Sequence, residues 1–262
     1  MKIEVFCQRC GYTSQNPLEP FCPYCLSPLV VKHQSARWDI DSSEPSMWRY
    51  RSLLPQLPTR ISFSEGYTPI HRVSKDIALK LESRNPTGSY ADRASSIISS
   101  YLRLSPPPRL ALRYEEDFTL SLATYLSDAV KADVYADPLH VNPLDLIALA
   151  RLGINISFGD VPPGANVLEY ANPLTVEGLK TIAFEIIERA PRVKTVVVPS
   201  FSGLLAFSVA KGFAEAEEAG VRVDYEVVAT VVEGSQDPHL IRYAPLQIKV
   251  VRVSTREVVE SI

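Results

Sequence analysis

All four cysteines lie within the first 25 residues, as Cys7-x2-Cys10 and Cys22-x2-Cys25. A Cys-x2-Cys turn aims two thiolates at one ion while backbone N–H groups support the sulfurs. Two such turns complete a tetrahedron, the geometry and donor set that suit Zn²⁺. Gly11 follows the first pair and Pro23 lies inside the second, both residues of tight turns. Eleven residues separate the pairs, a short spacing that a small ribbon can span. Two disulfides or four unengaged thiols are the other readings. They are disfavoured because the start, MKIEVFCQRC, has no apolar segment typical of a signal peptide. No run approaches the ~18 apolar residues of a membrane helix either. A cytoplasmic, membrane-free chain is expected, and there disulfides rarely persist. With four sulfur ligands a site is closed, so a zinc bound by Cys7, Cys10, Cys22 and Cys25 would be structural. Its binding energy would fold a segment too small to fold alone.

The rest of the chain is ordinary in composition, with 46% hydrophobic and 22% charged residues, which places it among globular proteins. A net charge of −3 argues against wholesale nucleic-acid binding, which needs clustered Lys and Arg. Eleven Gly against 21 Pro, with few Asn and Gln, leans toward a heat-adapted source. Residues 31–70 read as a connecting arm carrying the cluster Trp48-Arg49-Tyr50-Arg51. Packing of this arm across the main body is favoured, and a partner-binding surface is the sharper reading. Beyond it, strands and helices alternate. Helices are expected over 92–104, 119–131, 143–152, 176–188 and 204–218. Strands are expected over 109–113, 133–136, 155–158, 194–199, 225–233 and 248–253. Such alternation predicts mostly parallel sheets covered on both faces, with Val196-Val197-Val198 as a buried strand.

Several segments in order carry a family resemblance: the ribbon, MWRYRSLLP (47–55), SEGYTPI (64–70), KLESRNPTGSYADRAS (80–95), NPLTVEGLKTIAFEI (172–186), VVVPSFSGLLAFSVAKGF (196–213) and IKVVRVSTREVVESI (248–262). Together they resemble threonine synthase, a pyridoxal-phosphate enzyme of the tryptophan-synthase-β-like fold. The resemblance implies a two-lobed α/β body of pyridoxal-phosphate fold type II, reduced in size. It divides the chain into a ribbon (1–30), the arm (31–70), a large lobe (71–92 and 172–262) and a small lobe (93–171).

The same resemblance shows departures at the chemistry. The family's NPTGSFKDR supplies a Schiff-base lysine, a nucleophile and proton shuttle. Here the matching residues are Tyr90-Ala91-Asp92-Arg93, and Ala91 has no amine. Lys80 is too remote in sequence to replace it. Where the family has a Ser-Ser-Gly-Asn turn that grips the substrate carboxylate, aligning Ser121-Leu122-Ala123 places Tyr114-Glu115-Glu116-Asp117. That acidic turn would repel an anion, and at the start of the next helix it reads as a solvated cap. The glycine-rich phosphate loop is reduced to Ser200-Phe201-Ser202-Gly203-Leu204. Phe201 and Leu204 there are expected to fill core rather than cradle an anion. By the same alignment the chain is shortened between Asp160 and Asn172, between Pro238 and Ile248, and after Ile262. No catalytic residue and no pyridoxal phosphate are expected, and the cleft beside Ala91 should be filled by Tyr90, Tyr114 and Phe201.

Three functions follow. The first is a non-catalytic relative that acts as a binding or regulatory partner, itself or a protein partner being its target. The second is a zinc-ribbon adaptor for RNA or a ribonucleoprotein, using Arg37, Arg49, Arg51, Arg60 and Arg72 along the arm. The third is a residual pyridoxal-phosphate enzyme of amino-acid metabolism.

Overall fold

The computed structural model describes residues 3–33 and 37–260. The first two residues of the ribbon, 34–36 of the arm and 261–262 of the last matched segment lie outside the described residues. Strands β1 (Val5–Phe6), β2 (Thr13–Ser14) and β3 (Val30–Val31) form an antiparallel sheet in the order β2-β1-β3. Buried Val5, Val30 and Val31 give this small sheet one apolar side. It packs on the main body rather than standing free.

The arm runs into that body. Ser46 caps a short 3₁₀ turn, Met47–Leu53, by accepting from the Trp48 N–H. Trp48 and Tyr50 are buried, and Trp48 Nε1 donates to Glu65 (3.1 Å) and Ser96 (3.0 Å). Arg49 is buried too, paired with Glu188 at 2.7 Å and lying 4.1 Å from the Tyr67 ring. Arg51 pairs with Asp41, and Arg60 lies over Trp48. So three of the arm's arginines are committed within the chain, and the packed-arm reading holds.

An antiparallel hairpin, β4 (Ile70–Arg72) with β5 (Ala78–Lys80), follows, which sequence patterning had not indicated. Helix α1 (Ala91–Leu102) comes next. Then β6 (Leu110–Arg113), α2 (Phe118–Leu126), β7 (Ala132–Ala136), α3 (Pro143–Arg151), β8 (Asn155–Phe158) and β9 (Val167–Leu168) build a fully parallel sheet. Its order is β8-β7-β6-β9. Helix α2 is shorter than its apolar periodicity predicted. Ser127 adopts φ 51°, which breaks the α-helix, and a 3₁₀ turn carries the chain on to Ala129.

The remaining elements are α4 (Pro173–Leu179), α5 (Thr181–Arg189), β10 (Thr195–Pro199), α6 (Leu204–Glu218), β11 (Glu226–Val232), β12 (Ile248–Val253) and α7 (Thr255–Glu260). Asn172 starts α4 by accepting from the Thr175 N–H, with Pro173 in the first turn. Strands β10, β11 and β12 form a second parallel sheet. Helices α5 and α6 cover one face of it, through Ile182, Ile186, Val209 and Phe213 against Val198, Val227 and Ala229. On the opposite face Val197 is 59% exposed and Val232 39%, so β10 is an edge strand buried on one side only. Full double cover does not hold for this sheet among the described residues.

Two glycines set the helix crossings. A Cβ at Gly178 would sit 2.3 Å from the Arg93 carbonyl oxygen, and one at Gly212 would sit 2.4 Å from that of Lys180. Only a residue without a side chain lets α4 lie against α1, and α6 against Lys180, at that distance. No helix among the described residues is long and apolar enough to cross a membrane.

Candidate functional site

The two Cys-x2-Cys turns bring their sulfurs together. Cys7 Sγ lies 3.4 Å from Cys25 Sγ, Cys10 Sγ 3.4 Å from Cys22 Sγ, and Cys25 Sγ 3.8 Å from Cys10 Sγ. All four lie within 4.8 Å of one another. A tetrahedron of Zn–S bonds of about 2.3 Å has edges of about 3.8 Å, so the donors present fit that ion. Leu26 takes φ 57° in the second turn, a left-handed conformation where glycine would be unstrained.

Position 91 is the first residue of α1 and is 1% exposed. Its N–H is held by the Ser89 hydroxyl. The neighbours that match the family motif are fully committed to structure. Asp92 accepts from the Thr87 N–H (2.7 Å) and from the Ser121 hydroxyl (2.6 Å). Arg93 is completely buried. Its Nε and Nη2 donate to Glu82 at 2.8 Å, and its Nη1 reaches Thr181 and the carboxylate of Glu185. Lys80, the remote amine, lies 2.6 Å from Glu185 and 3.1 Å from Glu82. It is thus a member of this ion cluster and not a free nucleophile. Burial alone would raise the Glu185 carboxyl, but the Arg93 and Lys80 charges outweigh it and hold it below the ordinary range.

The acidic turn is solvated, as expected. Glu115, Glu116 and Asp117 are exposed just before α2. Its capping role is weaker than expected: Asp117 has φ 66° and makes no side-chain cap bond. Thr119 Oγ1 instead accepts from the Glu115 N–H at 2.8 Å. Partial burial, together with Glu116, raises the Asp117 carboxyl. Partial burial, together with Asp117 and Glu115, raises the half-buried Tyr90 hydroxyl. Tyr114 is tied to α3 by its bond to Asp145 at 2.7 Å.

The loop before α6 differs from the expectation in one residue. Leu204 is buried, but Phe201 is 86% exposed and fills nothing. The inner side of the loop is already taken, because a Cβ on Gly203 would meet Ile241 at 2.8 Å and Pro238 at 3.1 Å. The Leu240 N–H donates to the Ser202 carbonyl at 3.2 Å, and the Leu204 N–H to the Ser202 hydroxyl. The link after Pro238 therefore packs against the inner side of this loop at Gly203. The residues present do not fit pyridoxal phosphate: the amine is missing at Ala91, and Gly203, the one glycine of the loop, is packed against Pro238 and Ile241.

One buried cluster gave no functional signal in the sequence. Lys180 lies 2.5 Å from both Glu177 and Glu215, Lys211 bonds the same two carboxylates, and His33 reaches Glu177 at 2.8 Å. Burial raises the Glu177 carboxyl, but Lys180, Lys211 and His33 reverse that and place it well below the ordinary range. Only the helical spacings Glu177/Lys180 and Lys211/Glu215, set inside apolar runs, hinted at it. The cluster ties His33, at the start of the arm, to α4 and α6.

No family model matches the chain. Among curated proteins it is 26% identical over 249 residues to the threonine synthase of Methanosarcina acetivorans, covering 82% of this chain and 61% of that one. It is 26% identical over 220 residues to the threonine synthase of Methanocaldococcus jannaschii, covering 73% and 54%. The chain is threonine-synthase-like. It spans about 61% and 54% of the length of these two relatives. Among solved structures, a pyridoxal 5′-phosphate-dependent aspartate racemase matches with TM-score 0.61 at 16% identity, over 74% of this chain and 76% of that one. Maize serine racemase matches with TM-score 0.57 at 15% identity, covering 70% and 69%. The serine racemase of Dictyostelium discoideum matches with TM-score 0.58 at 13% identity, covering 70% and 71%. The threonine-synthase-like chain therefore has the type II pyridoxal-phosphate fold, α/β with parallel sheets.

Proposed function

We propose that this threonine-synthase-like chain is a non-catalytic relative that acts as a binding or regulatory partner, with a structural zinc ion held by Cys7, Cys10, Cys22 and Cys25. The observation that carries the reading is Ala91, buried at 1% exposure where the family resemblance calls for the Schiff-base lysine. Two further facts support it. Lys80 is spent on Glu185 and Glu82, and Pro238 and Ile241 pack against Gly203 of the loop that matches the phosphate cradle. What the motif retains, Asp92 and Arg93, holds helices together instead of meeting a substrate.

The test adds pyridoxal phosphate to the zinc-loaded protein, reduces with borohydride and maps adducts by mass spectrometry. The expected result is no saturable visible absorbance band and no adduct specific to one lysine. A stoichiometric adduct at a single lysine would overturn the non-catalytic reading. The partner role is read by light scattering and by affinity co-purification. A strictly monomeric chain with no interactor would remove it.

A further inference from the structure

Between the ribbon and the turn at Ile241–Tyr243 lies a cavity of about 440 Å³. One wall comes from the two metal knuckles: Gln8 and Arg9 sit between Cys7 and Cys10, and Ser27 follows Cys25. The other wall is the turn carrying Arg242 and Tyr243. No carboxylate lines it. Seven arginines elsewhere, Arg49, Arg51, Arg93, Arg109, Arg113, Arg252 and Arg256, have an acidic ion-pair partner, while others, Arg60, Arg103 and Arg189 among them, have none among the described residues. Arg9 and Arg242 have none among the described residues; Arg242 spends only its Nε, on the His239 carbonyl at 2.9 Å. The guanidinium lies 5.5 Å from the Tyr243 ring, and both its terminal nitrogens are without a hydrogen-bond partner among the described residues. On a chain of net charge −3, two unpaired guanidiniums sharing one concavity form a local reversal of sign.

We propose that this cavity binds a small phosphorylated metabolite, with Arg9 and Arg242 gripping its phosphate. Guanidinium forks match phosphate oxygens in pairs and stay charged at every physiological pH. Gln8 and Tyr243 supply further polar groups, and the volume falls within the range of small-molecule sites. Because one arginine belongs to the ribbon and the other to the body, the bound anion joins the two. Its occupancy is then felt as resistance of the ribbon to opening. The proposal does not rest on the loss of catalysis at position 91, since none of these residues belongs to that region.

The experiment titrates the full, zinc-loaded chain with AMP, pyrophosphate and adenosine by calorimetry. It is repeated for Arg9→Gln and Arg242→Gln. Saturable binding of AMP and pyrophosphate, with none of adenosine, is expected. Each substitution should weaken it about tenfold or more, as for loss of a charged hydrogen-bonding partner. Both side chains are exposed, so melting of the unliganded variants should match the parent and serves as the folding control. Adenosine binding as tightly as AMP, no saturable binding tighter than about 1 mM, or full affinity in both variants would each overturn the proposal.

Discussion

Glu185→Gln tests the ion cluster around Arg93. Arg93 and Glu185 have fully buried side chains, and Lys80 and Glu82 are only 13% and 16% exposed. The four charges cancel. Glutamine keeps the shape and can still accept the Tyr67 N–H that Glu185 now holds at 2.7 Å. It leaves Arg93 and Lys80 facing the single charge of Glu82. Removing one partner of a buried pair costs about 3–5 kcal/mol. For 262 residues the entropy of unfolding is on the order of 0.55 kcal/mol/K, so the midpoint should fall by about 5–9 °C. Thermal and urea unfolding followed by circular dichroism measure this at fixed zinc. The double variant Glu185→Gln, Lys80→Met restores neutrality, and should lose less than the two single changes added together. Because the folded carboxyl is held below its unfolded value, its contribution is fully present above about pH 4.3. It is lost as pH falls through the lower folded value. The gap between parent and Glu185→Gln should therefore stay constant from about pH 6 to 8 and close only in acid. A fall below about 2 °C, or strict additivity in the double variant, would refute the view that these charges act as one neutral unit.

Other consequences are more direct. Chelation of the purified protein should release about one zinc per chain and lower the melting point, and Cys10→Ser should do the same; a chain melting identically without metal would count against a structural ion. Gly178→Ala should destabilise by about 2 kcal/mol or more, because its methyl meets the Arg93 carbonyl, while Gly220→Ala, with open space around it, should show only the cost of its positive φ. Ala91→Lys should not create threonine formation, since Gly203 of the loop remains packed against Pro238 and Ile241, and the ammonium placed at a buried position should lower stability.

The sequence by itself determined the parts that depend on neighbours along the chain. Cysteine spacing placed four sulfurs around one point. Apolar periodicity located α1 and gave α6 its bounds at Leu204 and Glu218. Motif order gave the fold, and the missing amine at position 91 is a plain fact of the text. Tertiary structure alone decided what needs partners far apart in sequence. Arg93 and Glu185 stand 92 residues apart, His33 and Glu177 144 apart, so no local pattern could pair them. The ladder places β9 beside β6, across the sheet from β8, because edge position is a matter of sheet order. Phe201 looked like core because it is apolar. It is exposed, while Gly203 two residues on packs against Pro238 and Ile241. Side-chain type sets what a residue would gain by burial, and only the packed chain decides which residue occupies the space.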